Sequence, residues 1–453
     1  MIKPEQFQYL LREPAGRLVV GYSGGMDSHV LLHLLVKLKQ EESATVEILA
    51  LHINHGLSDQ SNRWQDHCAN VCNELKVPFA ALRVSVELAG KGTEASARKA
   101  RYQAFQETLR SGDLLLLAHH ADDQAETILF RLMRGGGLNG LAGMPARRRL
   151  GEAVLLRPLL HLSRESLVEY AGHQGLRWVE DESNRDTRFD RNFIRHNIVP
   201  VFKQRWPSYA QTWIRSAGLA AVGFDLNREL ADLDLRELCG SSANRIDLTK
   251  LKTLSQPRQQ NLLYRWVERA GLPLPSHAQL QQVVTQFAGA GHDANPLLKW
   301  RGAEVRRFRN HAYLMRPLAP HDSCAELHLN AEHDLAIDIG ALTASPLQGG
   351  GIWLEDGPSS VTVRFRQGGE RCQPAGRLGS HPLKKIFQEL QVPPWLRDRI
   401  PLIYVGKKIA AVAGLFNCQD FTAGDGQTGW EFSWSFTDAD LSDHGAPLSP
   451  QKN

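Results

Sequence analysis

Short apolar runs alternate with amphipathic stretches along the first half of the chain. Leu18-Val19-Val20 is β-branched-rich and closed by Gly21, which suits a buried parallel strand. A short helix is expected before it. Beyond Ser28 the apolar positions Val30, Leu31, Leu34, Leu35 and Leu38 recur at helical spacing. Residues 46–53 read as a second strand, 78–84 as a short third, and the wholly apolar 114–118 as a fourth. Helical spacing fills 61–75, with Trp64, Ala69 and Cys72 on one side, and 93–109, with Thr93 as N-cap. It returns over 122–133 and over 163–173, capped by Ser163, with a fifth strand at 155–158. Residues 134–143 hold five glycines and are expected as a mobile loop, not a helix. Residues 181–186 read as a polar turn, and Arg191 leads into a helix that stops before Pro200. This alternation predicts a doubly wound parallel sheet, which binds ligands beyond the carboxyl ends of its strands. Ser23, His55 and His119 all fall at such ends.

Farther along the pattern changes. Residues 216–288 keep helical spacing, as at Leu226, Leu230 and Leu233, then Leu262, Leu263 and Trp266. Residues 303–315 alternate as a hairpin does, while 317–358 mix proline, glycine and short strand patterns. Period two returns at 361–366, helical spacing at 382–390, and strand-like runs at 402–405, 409–412 and 430–434. The expected organisation is an α/β doubly wound parallel sheet (a Rossmann-like domain) over 1–215, then a helical domain over 216–316. A linker region follows over 317–358, a small mixed α+β domain over 359–437, and a disordered tail over 438–453.

Composition narrows the setting. The 453 residues are enough for two or three domains, and 42% hydrophobic with 23% charged content is ordinary for globular protein. No apolar run reaches the roughly 18 residues that span a bilayer. Met1-Ile2-Lys3-Pro4-Glu5 lacks the apolar core of a signal peptide, so a cytoplasmic protein with no membrane partner is expected. Six cysteines are too sparse for a disulfide framework. The net charge of +4 hides an uneven distribution: residues 361–410 hold ten Lys or Arg against three Asp or Glu, and 299–316 hold six against one. Basic patches in the C-terminal half suggest a polyanionic partner, a solvated basic surface being the alternative.

The candidate chemistry starts at Ser23-Gly24-Gly25, which cannot continue a strand. Paired glycines permit positive φ and close backbone approach to a ligand. A glycine turn that opens a helix after a strand presents unpaired N–H groups to an anion, commonly phosphate. Asp27 beside it could hold magnesium, an oxygen-seeking cation that also contacts phosphate oxygens. The Walker loop is excluded because no Lys stands here, and the G-x-G-x-x-G fingerprint is absent. What stands here is S-G-G-x-D-S. It resembles the pyrophosphatase loop of the N-type ATP pyrophosphatases, which activate a carbonyl or amide oxygen by adenylation. A chance glycine turn with a helix-capping serine is the competing reading.

Other stretches extend the resemblance. Residues 94–102 (E-A-S-A-R-K-A-R-Y) place Glu94, Arg98 and Arg101 on one helix face. Residues 118–127 (A-H-H-A-D-D-Q-A-E-T) set Asp122 and Asp123 at a helix start just past a strand. With 134–141, 181–195 and 371–414, the last including Pro393-Pro394-Trp395, Arg399-Ile400-Pro401 and Val412-Ala413-Gly414, they resemble the tRNA(Ile)-lysidine synthase family. The likeness runs over nearly the whole chain and is weak at 216–290 and 320–358. It is specific because the phosphate loop and the basic C-terminal module occur together.

The resemblance implies an adenylation domain followed by two tRNA-binding domains. It implies a ligase that uses ATP and free L-lysine to make lysidine at the wobble cytidine of the isoleucine tRNA with a CAU anticodon, converting methionine decoding into isoleucine decoding. It implies Ser23, Gly24, Gly25, Met26, Asp27, Ser28 and His119 as the ATP site, Met26 standing at the loop's variable position, with magnesium near Asp27. Asp123, Asp122 and Glu126, with Glu94 behind them, are candidates for the base or anchor of the lysine amine, against simple helix N-terminal capping. Arg98 and Arg101 could neutralise phosphate or pair along their own helix. His119 and His120 could flank the adenine or the nucleobase, or be buried structural histidines. Arg147, Arg148, Arg149, Arg191 and Arg195 could meet anticodon-stem phosphates, and Arg371, Lys384, Lys385 and Arg397 could meet tRNA from the C-terminal module. A homodimer is left open.

Rival readings share the loop. The tRNA 2-thiolation enzymes need a cysteine pair, whereas Cys68 and Cys72 are spaced C-x-x-x-C on an expected helix and read better as small buried hydrophobes. GMP, NAD and asparagine synthetases would leave the basic C-terminal module without a purpose. A non-catalytic nucleotide-binding adaptor would not need acids at both Asp27 and Asp123.

Overall fold

Leu18, Val19 and Val20 have no exposed surface and form the middle of a six-stranded sheet. The structure is a computed structural model that describes residues 2–436 other than 14–15, 57–59, 85–92, 181, 183–185, 241, 288–295, 330–333, 338–339 and 356. The expected tail and most of the expected 181–186 turn lie outside these residues. The chain divides into two units, Met1–Leu226 and Asn227–Asn453.

In the first unit the strands are β1 (Arg17–Gly21), β2 (Glu47–Asn54), β3 (Phe79–Arg83), β4 (Leu114–Leu116), β5 (Arg147–Leu150) and β6 (Ala153–Leu156). Their order is β3-β2-β1-β4-β6-β5, parallel throughout except for the β5–β6 hairpin. The helices are α1 (Tyr9–Arg12), α2 (Met26–Glu41), α3 (Ser61–Glu74), α4 (Thr93–Thr108), α5 (Ala121–Met133), α6 (Leu138–Leu141), α7 (Arg164–His173), α8 (Asp190–Phe193), α9 (Val199–Arg205) and α10 (Tyr209–Cys239), the last crossing into the second unit.

Period-two alternation explains why both faces of the sheet are covered. Leu18, Val20, Leu114 and Leu116 pack with Val30, Leu31, Leu34, Leu35 and Leu38 of α2. Val19, Leu51, Leu115 and Leu155 pack on the other face with Phe105 of α4. Cys68 and Cys72 are buried in the first of these cores, as expected of small hydrophobes.

Three local expectations change. The glycine-rich 134–143 holds a single helical turn, α6, because Leu138–Leu141 closes on itself between glycines. Arg147–Arg149 are on an edge strand, and the expected strand at 155–158 starts earlier, at Ala153, where it pairs with β4 and β5. Pro200 does not stop a helix. A π-helical turn, Ile194–Ile198, runs into α9 with Pro200 in its first turn, where a missing N–H costs nothing.

The second unit joins helices to antiparallel sheets. Arg245–Asp247, His311–Met315, Ala303–Phe308 and Leu297–Trp300 form one sheet in that order. Its apolar residues Val305 and Leu314 pack with Leu262, Leu263 and Trp266 of the Gln256–Arg269 helix. The expected hairpin over 303–315 is this sheet's centre. Much of the expected linker is strand: Gly340–Gln348 pairs with Thr428–Phe436 along its full length. The partner lies far off in sequence, so the local pattern could not reveal it. No helix among the described residues is long and apolar enough to cross a membrane.

Leu116 joins β1 to β6 at the sheet's centre with no exposed surface. Leu116→Ala should lower unfolding stability by about 2–5 kcal/mol in urea titrations. A loss near zero would mean the sheet does not organise the first unit.

Candidate active site

The site is assembled at the point where strand order reverses. β1 pairs with β2 on one side and with β4 on the other, so a crevice opens beyond their carboxyl ends. Val20 pairs with Leu116, so Ser23 and His119 stand equally far past the last paired residues.

The loop after β1 is held by its own serines. Ser23 N donates to Ser28 Oγ at 3.2 Å, Gly25 N to Ser23 Oγ at 3.3 Å, and Ser28 Oγ to Gly25 O at 2.9 Å. Gly24 has φ +82°, and a Cβ there would come within 2.8 Å of Cys68 Sγ, so both conformation and space require glycine. Gly25 is the extended N-cap of α2, and the helical ladder begins with His29 N to Gly25 O at 3.0 Å. The amides of Met26, Asp27 and Ser28 precede that ladder and form the positive end of the helix. Met26 turns its side chain into the core.

Asp27 stands in this first turn. Its Oδ1 is sealed from solvent and has no hydrogen-bond partner among the described residues, and its Oδ2 lies 3.7 Å from His120 Nε2. Burial, reinforced by Asp123, raises its pKa above the usual carboxylate range despite His120, Arg164 and Arg195 nearby. Such an orphaned oxygen beside open helix amides fits a hard cation that also carries phosphate oxygens. Among the described residues no group of three or more His, Cys, Asp or Glu could hold a metal by itself. A cation held here would therefore have to take most of its ligands from bound oxygens, with Asp27 as the candidate protein ligand.

The start of α5 supplies the other acids. His120 is the N-cap, with 2% exposure, and exchanges hydrogen bonds with Asp123 in a reciprocal cap. Asp122 ties elements together: its Oδ2 accepts Arg164 N at 2.9 Å and its Oδ1 accepts the Tyr209 hydroxyl at 3.1 Å. Asp123 and Glu126 are buried and face two arginines. Arg195 reaches Glu126 at 2.7 Å and Asp123 at 3.0 Å, and Arg191 reaches each at 3.3 Å. Burial pushes the Asp123 pKa up, but His120, Arg191, His119 and Arg195 together hold it below the usual range. Arg191 and Arg195, expected on an RNA-facing surface, thus turn to carboxylates. Arg195 comes from the π-helical turn, a distortion frequent at functional sites.

Beyond β4, His119 Nδ1 accepts a hydrogen bond from Arg157 Nε at 3.2 Å. Burial, with Arg157, Arg191 and Arg98 nearby, pushes the His119 pKa down to about 3 despite Asp123. Tyr102 lies between Arg98, at 5.2 Å from its ring centre, and Arg148, at 4.7 Å. After β2, Arg101 Nε donates to His55 Nε2 at 3.2 Å. Glu94's side chain is outside the described residues. Arg157, Tyr102 and Arg164 were not singled out from the sequence. A lone Arg directly after a buried strand, at Leu156-Arg157, was the available signal.

The remaining expected RNA contacts are surface groups described within their own units. Arg147 pairs with Glu13 at 2.7 Å, and Arg149 is exposed. In the second unit Lys384 and Lys385 are exposed on the Leu383–Glu389 helix. Arg371 donates to Ser380 O at 2.6 Å, and Arg397 to Val392 O at 2.9 Å. Cys68 and Cys72 are poor nucleophiles, since burial pushes both thiols up to about 12. That argues against sulfur transfer.

Comparison with known proteins agrees with this architecture. The PP-loop domain family matches residues 3–202, the TilS substrate binding domain 246–313, and the TilS substrate C-terminal domain 361–434. A tRNA(Ile)-lysidine synthase of Coxiella burnetii is 44% identical over 91% of this chain and 91% of its own. Those of Yersinia pseudotuberculosis and Shigella flexneri are 41% and 39% identical, over 92% and 93% of this chain and 95% and 96% of theirs.

The carboxylate–arginine cluster has a pH signature. Because the native Asp123 pKa is depressed, its stabilisation is complete above the unfolded value of about 4 and is lost as pH falls through the native value. Arg195→Ala should cost about 3–5 kcal/mol at neutral pH by leaving Glu126 under-paired, and should flatten the acid limb below about pH 4. Denaturant titrations across that range check both. An unchanged acid limb would remove Arg195 from the cluster's electrostatics.

Proposed function

We propose a reaction for this chain from one premise: it belongs to the tRNA(Ile)-lysidine synthase family. Family membership makes it an ATP-using ligase that acts on tRNA. The first unit is read as the site of both half-reactions. ATP lies with its phosphates on the loop Ser23–Ser28, toward the open amides of Met26, Asp27 and Ser28. The ring 2-oxo oxygen of the wobble cytidine attacks the α-phosphorus, and pyrophosphate leaves. Asp27 would hold magnesium, which neutralises charge on the departing phosphates. The ε-amine of free lysine then attacks ring position 2, AMP leaves with the former 2-oxo oxygen, and the amine's protons pass to solvent water.

The single observation that carries this reading is the Asp27 carboxylate: a sealed, unpartnered oxygen at the positive end of α2. Asp123 and Glu126 are the acids we assign to the lysine amine, with Arg191 and Arg195 fixing their orientation. Asp123, held ionised, suits an ammonium anchor better than a strong base. Asp122 is assigned to structure, since both its oxygens are engaged by other elements. The second unit is assigned to RNA backbone contacts through exposed cations such as Lys384 and Lys385.

Asp27→Asn should reduce pyrophosphate release, measured with ATP, lysine and cognate tRNA, by about a hundredfold or more without unfolding the protein. An unchanged rate would remove the loop carboxylate from the mechanism. The double reversal Lys384→Glu and Lys385→Glu should weaken tRNA binding and lower the slope of log affinity against log salt by about two. Equal slopes would leave those lysines as plain surface.

A further inference from the structure

Arg157 is buried, at 4% exposure, yet it has no carboxylate partner among the described residues. Its donors go to neutral acceptors: Nη1 to Pro145 O at 2.6 Å, Nη2 to the Tyr102 hydroxyl at 3.5 Å, and Nε to His119 Nδ1 at 3.2 Å. A buried, uncompensated guanidinium is costly, so a fold that keeps one gains something specific by it.

The bond to His119 carries the chemistry. A guanidinium has donors and no acceptor, so the ring nitrogen it touches must present a lone pair. Nδ1 of His119 is therefore unprotonated, and the neutral ring carries its proton on Nε2. Nε2 has no protein partner among the described residues and is not sealed from solvent. His119 also stands beyond the carboxyl end of β4, as far past the Val20–Leu116 pair in sequence as Ser23 is. The same device recurs after β2, where Arg101 donates to His55 Nε2 at 3.2 Å, leaving the His55 proton on the sealed, unpartnered Nδ1.

We infer that Arg157 is a positioning residue that locks His119 in its neutral, Nε2-protonated tautomer, so that the ring offers a permanent N–H donor to an acceptor atom of the bound nucleotide. The inference rests on the reading of this crevice as the ATP site. The charged groups that act on the ring are Asp123 from α5, Arg98 from α4, Arg191 from α8 and Arg157 itself. The three cations resist protonation and Asp123 favours it. Burial is the larger cause and the cations add to it, so the ring stays neutral where an ordinary histidine would charge.

Nitrogen-15 NMR of the histidine-labelled full-length chain tests the lock without any ligand, the His119 signal being identified by its loss in His119→Gln. The expected spectrum is a neutral Nε2–H ring that persists from about pH 8 to about pH 5. A charged ring or an Nδ1–H tautomer overturns the proposal, even if no Arg157 variant folds. Arg157→Met should release a mixture of tautomers. It should also raise the KM for ATP about tenfold, with kcat within about threefold, the pattern of a lost ground-state hydrogen bond. A merely structural role would leave the tautomer unchanged in Arg157→Met or would lower kcat and stability together; either result overturns the positioning role. If the wild-type chain shows the expected tautomer but ATP neither binds nor yields pyrophosphate, the ATP reading fails and the use proposed for the donor fails with it, while the locked ring stands.

Discussion

Parallel pairing between β1 and β4 joins two strands whose neighbours lie on opposite sides, β2 beyond β1 and β6 beyond β4. At such a switch point a crevice opens beyond the carboxyl ends of the two strands. Everything reactive in the first unit hangs on that gap. The ladder Leu18–Leu114, Val19–Leu115 and Val20–Leu116 sets how far the glycine loop and the His119–Glu126 segment project past the sheet. A slip of one residue would invert the buried faces of β4 and carry His119 and Asp123 away from Asp27.

Within the gap the pKa values of two carboxylates are pushed in opposite directions. Asp27, half-sealed with an oxygen unpartnered, is pushed toward neutrality; Asp123, ringed by His120, Arg191 and Arg195, is held ionised. Groups of one chemical type driven apart in this way take separate roles at one pH. His120 links them, with its ring 3.7 Å from Asp27 and 3.4 Å from Asp123. The arginines come from the segment around the π-helical turn, so the geometry of residues 190–198 tunes the acids of α5 from outside their own helix.

The second unit works by a different logic. Some of its acids are matched inside it: Glu304, fully buried, pairs with Arg306 and Lys299, and Asp232 with Arg265. The basic stretch 361–410 holds ten Lys or Arg against three Asp or Glu, and a basic surface of that kind would attract a polyanion with little demand on exact side-chain placement.

Much of this was legible in the residues alone. The α/β alternation, the S-G-G-x-D-S loop and the family resemblance follow from local pattern, because strand and helix periods and a glycine turn are written in consecutive residues. Asp27, Asp123 and Glu126 were legible as candidate acids beside the loop and at a helix start. Their partners were not. Arg191 and Arg195 read as basic surface, and Arg157 drew no notice, because a guanidinium's role is set by what lies across space from it. The Gly340–Gln348 strand read as linker for a related reason, since its hydrogen-bond partner Thr428–Phe436 is reached only through the folded sheet. Pro200 read as a stop because proline breaks a helix interior, and the fold placed it in a first turn where that penalty vanishes. Chain-local pattern therefore determined the fold class and carried the family resemblance, while pairings across the fold decided which charges meet, and so which carboxyl is lowered in pKa and which ring nitrogen faces a donor.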